Sequence, residues 1–174
     1  GALQLICGQI HDLLDHLNAQ DTVTFTGSAQ TGQQLRAHPH LNRHSIPFSM
    51  EADSINSAIL TEDCSEATIA LFVQQVVNEM TSKAGQKCTA IRRAFVPKAV
   101  LETVQQQLIE QLKKVVVGDP IQAEVTMGAL ASKKQQQDVA ARVEVLAQEA
   151  QIVFGSHLRN DCLIHAEDAT LGAF

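Results

Sequence analysis

The sequence predicts an α/β fold with a largely parallel sheet and flanking helices. Three observations carry this. Short β-branched or apolar segments alternate along the chain with longer stretches whose apolar residues recur every three or four positions. The joints between them are short, and strands alternating with helices over short joints is the pattern of parallel βαβ units. Finally, 174 residues with 45% hydrophobic content are enough to bury a sizeable core.

Residues 3–7 (Leu-Gln-Leu-Ile-Cys) read as a short buried strand that Gly8 breaks. Ile10, Leu13, Leu14 and Leu17 recur at helical spacing, with Asp12, Asp15 and His16 between them. The β-branched and aromatic run 22–26 predicts a second strand. Gly27-Ser28 ends it and opens a short helix to about Ala37. Residues 46–50 predict a third strand, with Pro47 tolerated near its start or edge. Ile69, Phe72, Val73, Val76, Val77 and Met80 form a helical stripe, closed by Lys83 in the last turn and Gly85 as a stop. Residues 90–96 predict a strand, and Val100, Leu101, Val104, Leu108, Leu112 and Val115 a second long helix. Ser132 can cap a third, with Val139, Val143, Leu146 and Ala150 as its apolar face, before a last strand at 151–154. The remaining residues show no periodicity.

Composition narrows function. A net charge of −6 argues against nucleic acid, because phosphate binding needs a basic surface. With no Trp or Tyr, platforms for stacking bases are lacking as well. No apolar run approaches membrane-spanning length and no secretion signal opens the chain, so a cytoplasmic setting is expected. Cys7, Cys64, Cys88 and Cys162 are spaced neither as a disulfide framework nor as a zinc site, which fits free thiols in a reducing compartment. His38-Pro39-His40 with His44 has no carboxylate or thiol at ligand spacing, so a solvated loop is expected there and no metal.

Three segments could carry chemistry. In Phe25-Thr26-Gly27-Ser28-Ala29-Gln30-Thr31-Gly32 a strand leads through Gly-Ser into a helix, whose free N–H groups and dipole suit a phosphate. Gln33 and Gln34 stand where a triphosphate-binding loop needs Lys and Ser/Thr, so either a looser anion site or an ordinary serine cap remains. Glu51 falls at the end of the third strand, where parallel sheets gather their chemistry. Half-buried there, it could act as a base near neutral pH; a solvated loop acid is the plainer reading. In Lys83-Ala84-Gly85-Gln86-Lys87-Cys88 a thiol follows Gly-Gln on a turn, with Lys83, Lys87, Arg92 and Arg93 near it in sequence. Positive groups and N–H dipoles favour the reactive thiolate. Cys7 and Cys64 read as structural.

In this order, Phe-Thr-Gly-Ser-x-x-x-Gly, a strand-end Glu and Gly-Gln-x-Cys resemble the aldehyde dehydrogenase superfamily over all but the tail of the chain. Glu51-Ala52-Asp53-Ser54-Ile55-Asn56, in place of the common Glu-Leu-Gly-Gly-Lys, resembles the branch acting on ring-opened CoA-thioester semialdehydes, as in phenylacetate degradation or, alternatively, benzoyl-CoA degradation. The resemblance implies that Cys88 is the nucleophile and that its N–H is one oxyanion donor. It further implies that Glu51 is the base for thioester hydrolysis, and that Gly27, Ser28 and Gly32 shape the NAD or NADP pyrophosphate site. It implies a small-molecule aldehyde substrate, a CoA thioester, and a homo-oligomeric full-length protein. Residues 1–50 are then expected to be the C-terminal part of the NAD(P)-binding Rossmann-like domain, and 51–174 the N-terminal part of the catalytic domain. On this reading the second oxyanion donor and the cofactor ribose contacts lie outside the chain. The 174 residues are then an internal segment with little or no activity alone. A non-catalytic nucleotide-binding or oligomerisation module is the reading from another class.

Overall fold

The computed structural model describes residues 2–9 and 11–155. It forms two compact units, one ending at Ser54 and the next beginning at Ile55. The expected parallel α/β character holds in both, as two separate two-stranded parallel pairs.

The first unit opens with a 3₁₀ turn at Leu13–His16. Strand β1 (Val23–Gly27) follows, then helices α1 (Ala29–Arg36) and α2 (Pro39–Arg43), then strand β2 (Phe48–Ala52). β1 and β2 pair in parallel from Val23 opposite Phe48 to Gly27 opposite Ala52. Pro47 has no N–H to give a ladder, but its carbonyl accepts from Val23 N at 2.9 Å, so it stands just before the strand without breaking it. Leu14, Leu41 and Ile46 make the buried core of this unit, with Leu17, Val23, Leu35 and Phe48 packed on it.

Strand β3 (Asn56–Ile59) opens the second unit, and helix α3 (Glu66–Thr81) crosses over to its parallel partner β4 (Ile91–Phe95). Ser65 caps α3 by accepting from Thr68 N, and the predicted stripe buries Ile69, Val73 and Val76. Helix α4 (Leu101–Leu112) packs on α3 through Val104, which joins Leu60, Ile69 and Val73 in the second core. Full burial of one such valine is worth about 1.5–3 kcal/mol. Cys64 packs against this core, as a structural thiol should. Helix α5 (Lys133–Leu146) begins at the expected cap, where Ser132 accepts from Gln135 N.

Four expectations are corrected here, and one strand is added to those expected. Residues 3–7 form no strand: Leu3 and Leu5 are exposed and no ladder pairs their backbone, so Cys7 is an exposed thiol rather than a core residue. Residues 151–154 form no strand either, since no ladder among the described residues pairs their backbone. The stripe of α5 has the right period, but none of its residues is buried, since a stripe is covered only where a second surface meets it. The His38–His44 region is helical rather than a loop: Pro39 sits at the first helical position, Leu41 is buried, and His40 Nε2 donates to the Leu17 carbonyl at 2.7 Å. β3 was not expected, because Asn, Ser and Ala are weak strand formers and the ladder to β4 overrides them. The expectations for Ile10 and Cys162 lie outside the described residues. Among the described residues no helix is long and apolar enough to cross a membrane.

Candidate active site

The first candidate region is the turn from β1 into α1. Ser28 has extended backbone and its hydroxyl accepts from Thr31 N at 3.1 Å, so it satisfies one of the orphan donors of the helix start. The cap was legible from Gly-Ser after a β-branched run. Gly32 is buried where α1 meets the sheet; a Cβ there would lie 2.2 Å from Met50 Sδ and 3.1 Å from Phe25 Cδ1. Its missing side chain is what lets the helix lie this close to β2. Gly27 and Ser28 are exposed, open to a ligand.

Glu51 is the next-to-last residue of β2, opposite Thr26 and one step from the Gly27–Ala52 pair. It therefore stands beside the turn just described, in the same unit. Its side chain is exposed rather than half-buried, which corrects the expected desolvation in this chain. Two residues on, Asp53 has φ +53°. Aspartate visits this left-handed region more readily than most side chains. Here its Oδ2 accepts from Ala29 N at 3.1 Å. An anionic side-chain oxygen thus caps the N-terminus of α1, and an incoming phosphate would have to share or displace it. The sequence signals this contact only faintly, through the turn-forming Asp53-Ser54 pair after a strand.

The second region is the loop between α3 and β4, in the other unit. Lys83, Ala84 and Gly85 follow one another with φ of +53°, +53° and +69°. Only the last is free of the side-chain penalty of about 1–2 kcal/mol per residue. The chain then turns: Ala90 N donates to Lys87 O at 3.1 Å, which places Cys88 and Thr89 at the exposed corners. Asn56 Nδ2 donates to Cys88 O at 2.5 Å and to Ala90 O at 3.3 Å. Both carbonyls that flank the Cys88 Cα are therefore fixed. Because N–H and C=O of one planar peptide point opposite ways, fixing Lys87 O inside the turn also fixes the direction of the Cys88 N–H. Among the described residues that N–H donates to no protein group, which leaves it open to an incoming oxygen.

Side chains distant in sequence frame this loop. Gln86 Nε2 donates to Lys83 O at 3.0 Å and Ala129 O at 3.4 Å, while its Oε1 accepts from Ala131 N at 2.8 Å. Arg92 Nη2 donates to Gly85 O at 2.8 Å. Lys87 Nζ reaches back to Glu79 Oε1 on α3 at 2.9 Å, both groups being mostly buried. Lys87 and Arg92 are thus engaged with the loop's frame. The thiol is legible in the sequence, but the contacts of Asn56 and Glu79 with this loop are not. An Asn opening a strand was a faint hint, and a Glu eight positions before its Lys gave none.

The model of the aldehyde dehydrogenase family matches residues 1–166. The chain is 43% identical over 157 residues to 3,4-dehydroadipyl-CoA semialdehyde dehydrogenase of Aromatoleum evansii, an alignment covering 89% of this chain and 30% of that protein. It is 32% identical over 133 residues to hydroxyisobutyraldehyde dehydrogenase of Mycolicibacterium austroafricanum, covering 76% of the chain and 25% of that protein. Among solved structures it is similar to betaine aldehyde dehydrogenase of Staphylococcus aureus in complex with NAD+, with a TM-score of 0.75 and 25% identity over 88% of this chain and 29% of that one. The chain spans less than a third of the length of these relatives. With its parallel βαβ units, its Gly-Ser helix start and its exposed cysteine turn, the chain belongs to the aldehyde dehydrogenase family.

Proposed function

We propose that this chain is the central segment of an NAD(P)-dependent aldehyde dehydrogenase that oxidises a CoA-thioester semialdehyde to the acid, with Cys88 as nucleophile and Glu51 as base. The Cys88 turn is the observation that carries this: an exposed thiol whose two flanking carbonyls are held and whose own N–H is open. In this reading the thiolate adds to the aldehyde carbon, and the oxygen of the resulting thiohemiacetal accepts from the Cys88 N–H. The nicotinamide cofactor, when bound, supplies the hydride acceptor. Once the hydride has left, the carbon is a thioester on Sγ. Glu51 then takes a proton from a water, the water oxygen adds to the thioester carbon, and the C–S bond breaks to return the thiolate.

Gly27 and Ser28 would hold a phosphate of the cofactor at the start of α1, and Gly32 would keep that helix against β2. Asp53 holds Ala29 N in the absence of ligand, so in this reading a cofactor phosphate displaces its carboxylate from the helix start. Residues 1–50 then belong to the cofactor-binding domain and 51–174 to the catalytic domain. The semialdehyde relative favours a CoA-thioester substrate, of the kind met in phenylacetate or benzoyl-CoA degradation.

Steady-state kinetics of the full-length protein test the proposal. Cys88→Ala is expected to abolish reduced-cofactor formation, and Glu51→Gln to lower it about 10²–10⁴-fold. Full activity in Cys88→Ala would overturn the assignment. A CoA-thioester semialdehyde is expected to give the higher kcat/KM against a short unsubstituted aldehyde. The 174 residues alone are expected to show no turnover.

A further inference from the structure

We infer that Asn56 is a positioning residue for the nucleophile: its side-chain amide sets the backbone geometry of Cys88. The inference rests on the reading of Cys88 as nucleophile and adds a role that the sequence motifs do not assign.

The amide group is well placed for it. Asn56 is the first residue of β3, held in the ladder opposite Ile91, and the register shifts between Asn56 and Ser57. Such an irregularity turns a side chain out of its regular alternation. Here it brings Nδ2 to two acceptors on the neighbouring turn, Cys88 O at 2.5 Å and Ala90 O at 3.3 Å. An amide NH₂ has two hydrogens, so it serves both at once. The Cys88–Thr89 peptide is held by this contact, and the Lys87–Cys88 peptide by the Ala90 N to Lys87 O bond. Together they define φ and ψ at Cys88, and hence where Sγ and the open N–H point relative to one another. The same contact engages the Cys88 carbonyl, so the partial negative charge beside the sulfur is compensated by a donor and the peptide is kept from rotating. A nucleophile and its oxyanion donor must be aligned to within a fraction of an ångström. Asn56 is the only side chain among the described residues that donates to a carbonyl of Cys88.

The test uses the full-length enzyme, with reduced-cofactor formation as the readout. Asn56→Ala and Asn56→Asp are expected to lower kcat about 10- to 100-fold while KM for the aldehyde and the cofactor stays within about twofold, because alignment rather than binding is lost. The two variants should part with pH. The Asp carboxylate has no donor and faces two carbonyls, but its protonated form regains an O–H. The ratio of N56D to wild-type kcat is therefore expected to rise as pH falls through the carboxylate range, while the ratio for N56A stays flat. Asn56→Ser, whose hydroxyl is too short to span both carbonyls, should follow N56A and serves if N56D does not fold. Wild-type kcat in N56A and N56S, or N56D and N56A ratios that run parallel across pH, would overturn the inference. Should Cys88→Ala stay active in the same assay, it is the nucleophile assignment that fails. Should Cys88→Ala be inactive while the Asn56 variants are unaffected, only the positioning role fails.

Discussion

The turn after β1 and the loop before β4 carry the two sets of motif residues, and they are held in different ways. At the first, the cap and the glycine that lets the helix approach lie within residues 27–32, with Met50 and Asp53 the contributors from farther along the chain. At the second, the loop's shape comes from Asn56, Glu79, Arg92 and the backbone at Ala129 and Ala131, which meet it only after β3, α3 and the segment beyond α4 are folded. A phosphate site needs little more than free N–H groups at a helix start. A nucleophile needs its sulfur, its neighbouring N–H and its peptide planes in fixed relation, and three consecutive left-handed residues do not hold that relation unaided.

If that contrast is right, damage to the loop should come from residues remote in sequence. Gln86→Ala removes three hydrogen bonds at a partly buried position. At roughly 0.5–1.5 kcal/mol each, the loss should be about 1.5–4.5 kcal/mol. It should appear as faster amide hydrogen exchange both at residues 83–90 and at 129–131; unchanged exchange at the second segment would break the account of the frame. At the β1–α1 turn a local change should suffice. Ser28→Ala is expected to cost about 1 kcal/mol, read as loss of exchange protection at Thr31 and its neighbours. The smallest effect has the opposite sign. Ala84 carries φ +53° with an L side chain, so Ala84→Gly should relieve strain and stabilise the loop by a few tenths to about 1 kcal/mol. A drop in stability would mean that the side chain contributes packing that outweighs its strain.

The same contrast explains how much could be read from the sequence. Ser132 caps its helix as expected and Ser28 fulfils the cap reading of its turn, because a cap is decided by residues three apart; Ser65 caps α3 by the same rule. The stripe of α3 and the parallel pairing followed from periodicity and alternation. What escaped the sequence depends on contacts between distant segments. β3 exists because β4 pairs with it, and residues 3–7 have no strand beside them among the described residues, although their composition favours a strand more than that of β3 does. Cys88, Glu51, Gly27, Ser28 and Gly32 were visible as motif residues; Asn56 and Glu79 were visible only once the loop was closed.

The proposed chemistry requires a covalent intermediate at Cys88 that Glu51 helps to hydrolyse. The direct test is intact-protein and peptide mass spectrometry of full-length Glu51→Gln, mixed with a CoA-thioester semialdehyde and oxidised nicotinamide cofactor and quenched in acid. An acyl adduct on the peptide carrying Cys88, accumulating to near one per chain and absent without cofactor, is the expected result. Turnover in this variant with the Cys88 peptide unmodified, or an adduct on Cys7 or Cys64 instead, would contradict it.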